Sequence, residues 1–223
     1  MPDPVNARTY RSPLRQEQAA ATRRAVTAAA HDLFTAQGYD ATTVAAVAAR
    51  AGFSLDTVYA SVGRKPALLL AAHDLALSGG TDAVPAEQRD YVAEVRAARG
   101  AAAKLTAYAG ALGRRWPATA PLAEALRTAA ATDPACRDTW TALGERRRAG
   151  MTVLAGELRA TGELRADLTD DDVAHLLWTT GGPEHYVLAT TRRTPEQYAA
   201  QLADLWTRTL LSTAPPDATT RAT

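Results

Sequence analysis

Between Thr43 and Lys65 the chain gathers hydroxyls, an ammonium and an acid at spacings that suit recognition rather than bond making. In the stretch AARAGFSLDTVYASVGRKPALLL, residues 48 to 70, Ser54 stands just before a helical pattern of Leu55, Val58, Tyr59 and Val62. A serine there caps the helix and leaves N–H groups at the positive end of the helix dipole, where a phosphate oxygen is a suitable acceptor. Thr43, Thr57, Tyr59 and Lys65 can donate to further phosphate oxygens, and Ser61 belongs to the same candidate surface. Leu55 and Asp56 are then aimed at a major groove, Leu55 toward a thymine methyl and Asp56 toward a cytosine amino group.

Catalytic constellations are not visible. The histidines at 31, 73, 175 and 185 are dispersed, Cys136 has no histidine at helical spacing, and no glycine-rich phosphate loop follows a strand. Asp171 and His175 are four apart and could share a metal, but an isolated pair makes a poor site and helix capping explains the acids better. The sequence therefore points to no enzyme, no metal and no cofactor.

A second set of residues suits a small-molecule pocket. Trp116, Trp140, Trp178 and Trp206 all lie beyond the segment just described. Arg147 sits four residues from both Leu143 and Met151 and seven from Trp140 and Leu154, on an apolar seam where a guanidinium needs a partner. That partner is either an anionic ligand such as a carboxylate or an internal acid, Glu184 or Glu124, the internal pair being the commoner outcome. The expected pocket is lined by Tyr108, Arg147, His175, Trp178 and Glu184.

The elements that must position these groups are helical. The 223 residues are 47% hydrophobic and 6% aromatic, and apolar positions recur at helical spacing, so an all-α fold is expected. Val26, Ala30, Leu33, Phe34 and Gln37 predict a first helix over Gln18–Gln37, stopped by Gly38. Thr42 or Thr43 caps a short helix through Val44, Val47, Ala48 and Ala51; Gly52 turns the chain and Ser54 starts the next helix. Lys65 and Pro66 open a fourth, which runs toward Ser78.

Farther along, Leu105, Tyr108, Leu112 and Trp116 form one stripe before Pro117, and Leu122 and Leu126 form another after Pro121. Asp133 caps a helix with Pro134 at its first position, closed by Gly162. Another spans Asp170–Thr180, is interrupted by Gly181, Gly182 and Pro183, and resumes over Glu184–Thr190. Thr194, Pro195 and Gln197 give a capping-box start to the last helix. Its stripe of Tyr198, Leu202, Leu205, Trp206 and Leu210 either completes a monomer core or faces a second copy, and a dimer interface is the expectation.

The resulting organisation is a flexible basic arm over 1–17, a helix-turn-helix module over 18–64, a connecting helix over 65–80, a larger helical domain for ligand binding and dimerisation over 81–212, and a disordered tail over 213–223. Net charge is +1, with Arg8, Arg11, Arg15, Arg23 and Arg24 crowding the entrance to the first helix. A single cysteine excludes an internal disulfide, and neither a signal peptide nor a membrane span is visible, so a soluble protein of the reducing cytoplasm is expected.

Residues 22–70 resemble the DNA-binding region of the TetR family of bacterial transcriptional regulators. The matching positions are Ala30, Leu33, Phe34, Gly38 and Tyr39, then Thr43, Val47, Ala48, Ala51, Gly52, Ser54, Thr57, Val58 and Tyr59, with Lys65 and Leu68 after them. The resemblance implies an all-helical homodimer, a ligand-responsive C-terminal domain and a double-stranded operator of two half-sites. Repression relieved by a small-molecule effector is what it implies for function; the alternative is a helical protein-interaction module without DNA binding. Relatives usually follow the tyrosine with histidine and phenylalanine, where this chain has Ser61 and Val62, and Asp56 replaces a commonly small residue.

Overall fold

The computed structural model describes residues 13–79 and 84–212. Along them run α1 (Pro13–Ala41), α2 (Val44–Ala51), α3 (Leu55–Ser61), α4 (Lys65–Leu77), a turn of 3-10 helix (Ala86–Gln88), α5 (Asp90–Ala97), α6 (Ala101–Ala129), α7 (Pro134–Arg159), α8 (Asp170–Thr180), α9 (Pro183–Ala189) and α10 (Pro195–Leu210). The only strand-like feature among the described residues is an isolated bridge between Leu164 and Leu211. The architecture is all-α, with the helix-turn-helix module at the N-terminal end.

Helix starts follow local chemistry. Pro13 opens α1, because a proline loses nothing where the first N–H has no partner. The helix therefore begins ahead of the predicted Gln18, and residues 13–17 of the expected arm are helical. Residues 1–12 of that arm and the tail 213–223 lie outside the described residues. Gly38 breaks α1 as expected, with φ 80° and ψ 177°. Asp133 caps α7, and capping boxes open α8 at Thr169/Asp172 and α10 at Thr194/Gln197.

The two stripes on either side of Pro117 and Pro121 belong to one continuous helix, α6. Each proline removes a hydrogen-bond donor at a cost of about 3 kcal/mol in an isolated helix. Burial offsets it: Leu105, Leu112, Trp116, Ala120, Leu122 and Leu126 are all buried along α6. Gly113 lets α10 approach closely, since a Cβ there would meet the Ala199 Cβ and the Pro195 carbonyl oxygen, each at 2.9 Å.

Two apolar clusters form. One packs Leu105, Leu112, Trp116, Leu154, Leu158 and Leu177 with Tyr198, Leu202, Trp206 and Leu210. The other joins Val26, Phe34, Val47, Val58, Leu68 and Leu69 to Leu122, Leu126, Cys136 and Leu143 of α6 and α7. The small N-terminal module thus completes its core on the larger helical body.

Here the expected dimer stripe needs correction. Tyr198, Leu202, Trp206 and Leu210 are at most 1% exposed and point into the chain's own core. Trp206 stacks on Tyr108 at 5.6 Å and donates from Nε1 to the Thr180 hydroxyl at 2.8 Å. Only Leu205 of the five presents surface, at 38% exposure. An amphipathic stripe records that a face is covered, not whether its own chain covers it. Among the described residues, no helix is long and apolar enough to cross a membrane.

Candidate nucleic-acid interface and effector cavities

The turn between α2 and α3 is built from backbone bonds that only a left-handed residue permits. Gly52 adopts φ 76°; its N–H reaches the Ala49 carbonyl at 3.3 Å while the Phe53 N–H reaches the Ala48 carbonyl at 3.0 Å, closing α2. Thr43 caps the other end, accepting from the Ala46 N–H at 3.0 Å. Thr42 is instead buried, donating to the Gly38 carbonyl at 2.7 Å. Ser54 caps α3, accepting from the Thr57 N–H at 3.1 Å, and its hydroxyl lies 2.8 Å from that of Thr57.

Val58 and Val47 are wholly buried beneath this turn, and they fix which side of α3 faces outward. That outward side carries Leu55, 41% exposed, and Tyr59, 44% exposed, with Ser54 and Asp56 also exposed. Thr57, Ser61 and Lys65 are half-buried, and the Ser61 hydroxyl donates back to the Val58 carbonyl at 3.2 Å. Lys65 lies over the Tyr39 ring, 4.1 Å from its centroid, within 3.4 Å of the Asp40 carbonyl oxygen. Its ammonium therefore already has aromatic and carbonyl neighbours within the chain. Arg23 of α1 donates to the Ser61 carbonyl at 2.6 Å, anchoring the far end of α3.

Two further exposed residues, Phe53 in the turn and Arg64 just before Lys65, border this face and lie outside the set of contacts expected from the sequence. Their signal was present: an aromatic between a turn glycine and a cap, and a cation beside a cation. A short helix whose exposed face offers apolar, acidic and phenolic groups, capped at its leading end and backed by cations, is shaped to enter a groove and touch its rim.

The second candidate site lies between α4, α5, α6, α7 and the α8–α9 corner. Three adjoining cavities occupy it, of about 210, 460 and 230 Å³. The first and second share Tyr91, Tyr108, Gly150 and Met151; the second and third share His73, Trp116, Leu143 and Arg147. Of the expected pocket residues, Arg147, Trp178 and Glu184 line the third cavity together, and Tyr108 lines the first and second. His175 lines none of them and is exposed, on the side of α8 nearly opposite the buried Val173, Ala174 and Leu177. A helical turn put it off the face that the sequence assigned to it.

The expected internal acid for Arg147 is not engaged. Glu124 is held by Arg127 at 2.8 Å, and no described carboxylate lies within 4.0 Å of the Arg147 guanidinium. Arg147 instead donates to the Trp178 carbonyl at 3.1 Å and sits 5.8 Å from the Trp116 ring centroid. Trp116, named with the other tryptophans in the sequence, lines the same space; His73 and Arg89 line it too and were not assigned to a pocket from the sequence. His73 sits on the apolar face of α4 and is 3% exposed; its Nδ1 lies 3.5 Å from the Asp74 carboxylate, and its Nε2 has no hydrogen-bond partner. Next to it, burial works against ionisation of Asp74, yet contacts with His73 and Arg146 outweigh it and hold its pKa at about 2. Burial pushes the Tyr108 and Tyr198 phenols up, so both stay neutral.

Residues 26–72 match the family model described as bacterial regulatory proteins, tetR family. No curated protein matches the chain. Among solved structures it is similar to a TetR transcriptional regulator from Chloroflexus aurantiacus J-10-FL, with TM-score 0.60 and 21% identity over 88% of this chain and 100% of that one. It is also similar to a protein from Saccharomonospora viridis described as a transcriptional regulator in complex with choline, with TM-score 0.62 and 19% identity over 86% and 98% of the two chains. A third likeness is to SmeT in complex with triclosan, with TM-score 0.59 and 16% identity over 88% and 96%. At these identities the likeness is one of fold.

Proposed function

Because residues 26–72 are the N-terminal module of the TetR family of bacterial regulatory proteins, we propose that the chain is a ligand-responsive transcriptional repressor that reads a double-stranded operator through α3. The observation that carries this reading is the outward face of α3, where Leu55, Asp56 and Tyr59 are exposed on a helix capped by Ser54 and backed by buried Val58. Ser54, Thr43, Thr57, Tyr59, Ser61 and Lys65 serve the phosphates; Leu55 and Asp56 serve the bases.

Two half-sites require two reading heads, so the working unit is a homodimer in the cytoplasm. The apolar surface available to a second copy is the exposed Val187 and Leu188 of α9 and Leu205 of α10. A small-molecule effector enters the cavities beside Arg147 and favours a chain conformation in which the heads no longer match the operator. Neighbours of the same fold hold choline and triclosan, which supports a small-molecule role for the C-terminal helices.

The test is selection of bound duplexes from a random pool, followed by titration of salt and of candidate effectors against the winning sequence. A DNA reader loses affinity steeply with added salt. A flat response, or no selected sequence, would refute the proposal and favour a protein-interaction module.

A further inference from the structure

We propose that the cavities between α4, α5, α6 and α7 take an amphipathic carboxylate, its anionic group held by Arg147 and Arg89 and its apolar body laid past Tyr108 and Met151 into the cavity beneath Val153. The proposal rests on the C-terminal helices being an effector domain and names the chemical class of that effector.

Charge carries the first step. Arg89, Arg115, Arg146 and Arg147 all line the 460 Å³ cavity. Arg115 is paired with Asp90 and Arg146 with Asp74, the one carboxylate in that cavity wall. Arg89 and Arg147 are left with no described carboxylate within 4.0 Å. Part-buried guanidinium groups facing one cavity with no carboxylate at ion-pair distance favour an anion there. Glu184 lines the 230 Å³ cavity and not the 460 Å³ one, so the anion approaches Arg147 from the side away from that acid.

Hydrogen bonding gives the second step. The Arg89 Nε is buried without a partner, and so is the His73 Nε2, while the His73 Nδ1 lies 3.5 Å from the Asp74 carboxylate. A guanidinium only donates, so a ligand rich in acceptors satisfies Arg89 where a quaternary ammonium cannot. Shape gives the third. Across the shared wall of Tyr91, Tyr108 and Met151 the 460 Å³ cavity meets the 210 Å³ one, which Val92, Val95 and Leu154 line. The polar end and the apolar end therefore lie along one path, within the size range of ordinary ligand sites.

The experiment uses the full chain without DNA, following tryptophan fluorescence and calorimetry with decanoate, naphthoate, decanol and decyltrimethylammonium. The expected result is that at least one carboxylate binds tenfold or more tighter than decanol and than the ammonium compound. Arg147→Met and Arg89→Met each weaken that binding about tenfold with the thermal midpoint unchanged, and Arg147→Lys recovers part of it. No carboxylate binding, equal binding of all probes, preference for the cation, or full binding by both arginine variants overturns the proposal. A carboxylate that binds yet leaves the operator complex intact overturns the effector role and leaves the assignment of ligand class standing.

Discussion

Asp74 of α4 and Arg146 of α7 face each other through two hydrogen bonds, at 2.8 and 3.0 Å, although they stand 72 residues apart. A bidentate pair fixes orientation as well as distance. The helix that follows the helix-turn-helix module is thereby tied to α7 one residue from Arg147.

The pair sets an acid limit on stability. Asp74 has its pKa at about 2 in the folded chain, below its ordinary value of 3.8, so its contribution is complete above pH 4 and fades as pH falls through 2. Asp74→Asn should cost roughly 1–2 kcal/mol at pH 7 and almost nothing near pH 2. Denaturant melts at the two pH values measure this; equal losses at both contradict it.

On the outward face of α3, Tyr59 is 44% exposed, and its hydroxyl makes no hydrogen bond to a described residue; the proposed function gives it a phosphate. Tyr59→Phe should weaken duplex binding about tenfold for every sequence, with the thermal midpoint unchanged. Asp56→Asn should change the preferred base at one position by about 1–3 kcal/mol and strengthen non-specific binding. Competition assays with selected and scrambled duplexes separate the two effects.

Cys136 joins the module to the body through its thiol, 3.0 Å from the Tyr39 hydroxyl. Burial, above all, pushes that thiol's pKa up, against the opposing effect of Tyr39. Native protein at pH 8 should resist iodoacetamide and react fully only in denaturant, as intact mass will show. Tyr39→Phe removes the contact and should cost about 1 kcal/mol.

On α10, Leu202 is 1% exposed and packs within the chain, whereas Leu205 is 38% exposed. Leu202→Ala should destabilise the fold by about 2–5 kcal/mol. Leu205→Glu should leave the melt nearly unchanged but lower the light-scattering mass from dimer to monomer. Should Leu205→Glu leave the mass at that of a dimer, Leu205 lies outside the interface.

The helix-turn-helix was legible because its signals are local. Gly52 must take a left-handed turn, Ser54 must cap the helix after it, and each is readable within a few residues. The same holds for the Asp133 cap and the Thr194 capping box. His175 and the α10 stripe were placed less well, because helical spacing marks a face without naming what the neighbour is. Arg147 was recognised as a charge on an apolar seam, but its lack of an acid partner depends on where Glu124 and Glu184 end up.

The amino-acid order by itself determined the helical periods, the caps and the chemistry offered by residues 43–65, since each depends on contacts within about one helical turn. Tertiary structure alone decided that Tyr198, Leu202, Trp206 and Leu210 close the chain's own core and that Asp74 binds Arg146. It alone brought His73, Arg89 and Arg147 to one cavity. The physical reason is that burial and charge pairing are properties of helices meeting in space, and a periodic pattern carries the face a helix presents but not the partner it meets.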